Sequence, residues 1–85
     1  MPFYHFHIRN GSGFTRDEEG QELADTGAAM DVAVRSVRSL LSAEIEEGRI
    51  DLRGRLEVTD REDQPLFALP FEDAVEVLTG DPPKS

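Results

Sequence analysis

Cysteine and tryptophan are missing from this 85-residue chain, and lysine occurs once, at Lys84. The lack of cysteine excludes disulfides, thiolate metal sites and a cysteine nucleophile. The other basic residues are scattered arginines, and 18 acidic against 9 basic residues leave a formal charge of −9. Binding to phosphates requires clustered Lys and Arg, so the charge argues against nucleic acid and an anionic membrane surface as partners. No apolar run approaches the roughly 20 residues needed to cross a bilayer. The first residues, Met1-Pro2-Phe3-Tyr4-His5, have neither the basic region nor the apolar stretch of a signal peptide. The expectation is a soluble, cytoplasmic protein.

Catalytic signatures are equally scarce. Gly11-Ser12-Gly13 stands between two strand patterns rather than before a helix, so it is a hairpin turn and not a phosphate loop. The serines fall in turns and on helix faces, where no nucleophile elbow exists. Carboxylates abound, yet at this net charge no single pair of them points to acid–base chemistry. A chain this short buries only about 60% of the surface its unfolded form exposes, which leaves little room for a deep cleft. One domain, residues 1–78, followed by a disordered tail, 79–85, is the natural division.

The pattern that is present begins with Tyr4, Phe6 and Ile8 alternating with Phe3, His5, His7 and Arg9. Such a period of two marks a strand with one buried and one wetter face. Asn10-Gly11-Ser12-Gly13 turns the chain, and Phe14 to about Asp17 should return antiparallel. Setting Phe14 beside Ile8 places His7 opposite Thr15 and His5 opposite Asp17. After a turn at Glu18-Glu19-Gly20 and a short extended piece, Asp25 is a fitting N-cap, with Thr26 as the alternative. Ala29, Met30, Ala33, Val34, Val37, Leu40, Leu41 and Ile45 then recur at helical spacing and form one stripe. Gly48 stands where a left-handed C-cap belongs. Leu56–Thr59 and Leu66–Leu69 read as two more strands, and Phe71–Leu78 as a short amphipathic helix. The fold class is therefore α+β: two β-hairpins flanking one long helix, which packs on a four-stranded, mainly antiparallel sheet, with a short C-terminal helix.

Tyr4-His5-Phe6-His7, the turn at Gly11, Asp17-Glu18-Glu19-Gly20-Gln21-Glu22-Leu23, Val58-Thr59-Asp60 and Leu69-Pro70-Phe71 resemble a family of small bacterial proteins classed as a domain of unknown function. The likeness spans residues 2 to about 78. It departs at Gln64, where glycine is expected in the second hairpin turn. The resemblance implies the fold but no activity and no catalytic residue. A looser likeness, in topology and over the first half alone, is to antitoxins of the HicB type.

His5 and His7 are the only histidines, and two strand positions apart their rings point the same way, with Cα atoms roughly 6.5 Å apart. Neutral imidazoles suit zinc, nickel or copper, and Asp17 is the candidate third ligand. The competing reading has them as ordinary sheet residues, with His5 hydrogen-bonded to Asp17. The acids Asp17, Glu18, Glu19, Glu22 and Asp25 lack the ligand alternation of a calcium loop. Glu44, Glu46 and Glu47 crowd the C-terminal turn of the helix, where the dipole disfavours them, and Arg49, Arg53 and Arg55 are the expected neutralising partners. The sequence thus favours a non-catalytic interaction or regulatory module without a cofactor. Its partner would be a protein or another copy of the chain, meeting it at a sheet edge or on the histidine-bearing face. The alternative is a small metal- or ligand-binding domain on His5, His7 and Asp17.

Overall fold

A computed structural model describes residues 1–80. Strand β1 (Phe3–Asn10) is the hub of a five-stranded antiparallel sheet. On one side it pairs with β4 (Arg55–Thr59), which in turn pairs with β5 (Pro65–Pro70). On the other side it pairs with two short strands in succession, β2 (Gly13–Thr15) and β3 (Gln21–Glu22). Helix α1 (Thr26–Glu46) crosses one face of this sheet. The expected tail falls, from residue 81 onward, outside the described residues.

Period-two alternation explains the layer between helix and sheet. Tyr4, Leu56, Val58 and Leu69 are buried against Ala29, Ala33, Val37 and Leu41, with Phe6, Ile8 and Phe67 packed at the margin. The four buried helix positions are spaced by four, and two are alanine, which lets the helix backbone lie close to the sheet. Both helix ends follow the expected chemistry. The Asp25 carboxylate accepts from the Ala28 amide at 2.8 Å. Gly48, at φ +89°, donates to the Ile45 carbonyl while Arg49 donates to that of Glu44, the bond pair of a Schellman motif.

The apolar stripe is shorter than its spacing implies. Met30, beside the buried Ala29, is 38% exposed, and Ile45, one turn past Leu41, the last buried helix position, is 59% exposed. The short C-terminal helix is a single 3₁₀ turn, Phe71–Ala74, since Val75 is already extended. Phe71 and Ala74 are buried and tie this turn to the core. The second hairpin does without glycine at Gln64: the left-handed position falls on Asp63, at φ +66°, a conformation aspartate tolerates. Asp60 closes that turn by accepting from the amides of Glu62 and Gln64.

The expected compensation at the C-terminal turn of the helix takes another form. Arg53 grips Asp51 through two bonds of 2.9 and 3.0 Å and holds its carboxyl down to about 2. Arg55 binds Glu57, and Glu44 accepts the Asp51 amide. The arginines thus serve acids beside them in the chain rather than the helix glutamates.

Because Val37 is fully buried and Ser39 exposed, Val37→Asp should cost on the order of 3 kcal/mol or more, as an unpaired charge in the core. Ser39→Asp should change stability by less than about 0.5 kcal/mol. Thermal melts followed by circular dichroism check the difference, and equal losses would contradict this helix orientation.

Candidate functional site

The second face of the sheet, which carries Phe3, His5, His7 and Arg9, is covered at its centre, while Arg9 at its end stays exposed. Only 1% of His7 is exposed, because the segment between β2 and β3 folds back over the strand. The register that produces this is one residue away from the expected pairing: Ile8 opposes Thr15 and Arg9 opposes Phe14. Phe14 therefore does not join the helix-side core. Its ring lies 5.6 Å from that of His7, with the Arg9 guanidinium 4.6 Å from its centroid.

Asp17 nevertheless reaches both histidines, through its backbone. Its carbonyl accepts from His5 Nδ1 at 2.8 Å, and its amide donates to His7 Nδ1 at 2.9 Å. The carboxylate bonds to neither ring and accepts from the amides of Phe6 at 3.0 Å and Gly20 at 3.1 Å. Phe6 lies in the stretch of β1 between its contacts with β2 and β3, where its amide has no strand to meet. The side chain of Asp17 takes the place of that missing strand. Gly20 permits the close approach: it sits at φ +66°, and a Cβ there would meet the Phe3 ring, the Tyr4 carbonyl and the His5 ring within 3.0 Å.

These partners assign the ring tautomers. An amide is always a donor, so His7 Nδ1 is the acceptor and Nε2 carries the proton. Nε2 faces the Thr59 hydroxyl at 3.1 Å and Asp63 Oδ1 at 3.4 Å. The Thr59 hydroxyl in turn donates to Asp63 Oδ1 at 3.2 Å, and Arg16 donates to Asp63 Oδ2 at 3.1 Å. One chain of hydrogen bonds thereby ties the loop after β2 to the turn between β4 and β5. Among the described residues, no buried side-chain polar atom lacks a partner.

The electrostatics follow the geometry. Burial pushes the Asp17 carboxyl up, but the amides of Phe6 and Gly20 and the nearby His5 outweigh it, so its pKa lies below the ordinary value. Arg16 is the main cause of the same downward shift at Asp63, helped by Thr59 and His7. Glu57, half-buried on this face between Arg55 and Arg9, is also held low, the two arginines outweighing the effect of burial.

The structure thus brings together all three residues that the sequence singled out. The His5 and His7 rings stack 5.9 Å apart and within 3° of parallel, as their strand positions require. As metal ligands, however, both ring nitrogens of His7 and both carboxylate oxygens of Asp17 already have partners. No group of three or more His, Asp and Glu is placed to hold a metal among the described residues. Thr59, Asp63 and Arg16 escaped sequence reasoning. The signal that would have found Thr59 was the pairing of β1 with β4, which sets it opposite His5.

Comparison with known proteins adds a family and no activity. Residues 3–72 match the domain of unknown function DUF6894. No curated protein and no solved structure matches the chain.

Because the Asp17 pKa is lowered on folding, its contribution to stability is full above the usual carboxylate range and is lost as pH falls through the folded-state value. Asp17→Asn should destabilise by about 1–3 kcal/mol at neutral pH, since the amide group cannot accept from both backbone donors. It should also flatten the fall in stability between about pH 5 and about pH 2. Urea titrations across that range test both effects, and a variant with the acid slope of wild type would refute the clamp. Zinc calorimetry is expected to give equal heats for wild type and His5→Ala. Heat seen with wild type alone would support the metal-binding reading.

Proposed function

The chain belongs to the DUF6894 family, a domain of unknown function, and on that footing we propose that it is a non-catalytic protein-interaction module that docks a partner at the C-terminal end of α1. The observation that carries this reading is an apolar groove of about 510 Å³ at that end of the helix, with Leu41 on its floor and Ile45, Ile50, Val77 and Leu78 around it. These last four are 59%, 48%, 53% and 82% exposed. Contiguous apolar surface of this kind is uncommon on a small soluble domain unless something covers it.

The rest of the molecule supports the same reading. The residues best suited to chemistry, His5, His7 and Asp17, take part in the hydrogen bonds that hold the fold. The histidine-bearing face is closed by the loop after β2, so it offers little to a partner. The edges of the sheet are also poor docking sites. β2 and β3 are short, and β5 is bracketed by Pro65 and Pro70 and interrupted by a bulge, devices that discourage strand addition. The net charge of −9 argues against nucleic acid. No helix among the described residues is long and apolar enough to cross a membrane. A cytoplasmic setting completes the proposal and accords with the absence of cysteine.

A photoreactive residue placed at Ile45 in living cells tests this function. Covalent adducts with protein are expected from position 45 and not from Asp31, which is exposed near the start of the same helix. No adduct from position 45, or equal yields from both positions, would remove the proposal.

A further inference from the structure

The groove is self-complementary, and we infer that its occupant is a second copy of this chain, paired antiparallel through α1 about a two-fold axis at Ser42. The inference rests on the docking role proposed above and names the partner. Arg38 and Glu46 both line the groove, four residues on either side of Ser42. Antiparallel pairing about Ser42 therefore sets each Arg38 beside the partner's Glu46, and the contact occurs twice. Neither residue is in an ion pair within the chain among the described residues.

Arg38 is already oriented for this contact. Its Nε donates to the Ala74 carbonyl at 2.6 Å, which fixes the stem of a side chain that lines the groove. Ser42 is exposed and small, so it allows the two helix axes to close to the 8–10 Å typical of packed helices. By the same pairing Ile45 of each copy falls opposite the other's Ser39, where Arg38 and Leu41 line the groove. The pairing is isologous, with the same patch used on both copies, so it closes at a dimer and does not propagate. It also explains why the apolar helix stripe continues to Ile45, past the last buried helix position.

Sedimentation equilibrium on the full chain, with charge reversals, tests the inference. Wild type should sediment at twice the monomer mass. Arg38→Glu and Glu46→Arg should each weaken dimerisation at least about tenfold by opposing like charges, and the double reversal should restore it. In a chain without cysteine, Ser42→Cys should be trapped as a disulfide dimer under oxidised glutathione, and Ser36→Cys, exposed on another face of the helix, should not. Thermal melts identify any variant that fails to fold, and the Ser42→Cys result stands apart from the charge variants. A monomeric wild type would overturn the inference, as would a double reversal that folds and stays weak. A monomer whose Ile45 adducts join a different protein would overturn the second copy while the docking role survived.

Discussion

The polar atoms of Asp17 are the constraint on which the rest of this domain depends. Its amide, its carbonyl and both carboxylate oxygens each hold a partner on β1 or in its own loop. Without them the middle of β1 would present an unpaired amide and two imidazoles to water on its outer side. A domain of 85 residues has a small apolar core, and a second ordered layer adds stability that one helix on one sheet face supplies only in part. Here that second layer is polar: a network in which every buried side-chain group among the described residues is satisfied. Satisfied networks rigidify, whereas half-satisfied ones destabilise, so the loop, the Gly20 approach and the Asp63 turn stand together.

Much of the architecture was legible in the residues themselves. The alternation of Tyr4, Phe6 and Ile8, the helix stripe centred on Val37, the Asp25 cap and the Gly48 terminus all depend on neighbours within a turn or two, and local rules describe them. The register of the first hairpin was not legible, because it is decided by where residues 16–20 find hydrogen-bond partners rather than by Phe14 seeking the core. The closure of the histidine face was hidden for a related reason. His7 and Thr59 are 52 positions apart, and only the pairing of β1 with β4 brings them together. Ile45 misleads for the opposite reason: its spacing is right for the core, but the buried helix positions end one turn earlier, at Leu41.

That mismatch separates the part of the molecule concerned with stability from the part available for function. His5, His7 and Asp17 were the candidates with the richest chemistry, and they are occupied in holding a loop against a strand. The apolar surface at the far end of the helix has no such internal role. Arg38, held by the Ala74 carbonyl, and Ile45 beside it lie on a surface that the fold itself does not consume. That surface is where the proposed association would take place.

The clamp makes one assertion that can be observed directly. The ring nitrogens of the two histidines are distinguished by their partners: His7 Nδ1 accepts from an amide, and His5 Nδ1 donates to a carbonyl. Long-range proton–nitrogen correlation spectra of the imidazoles at neutral pH report which nitrogen carries the proton. The account predicts an unprotonated Nδ1 and a protonated Nε2 for His7, with a protonated Nδ1 for His5. A His7 ring protonated at Nδ1, or averaging between tautomers as an exposed histidine does, would contradict it.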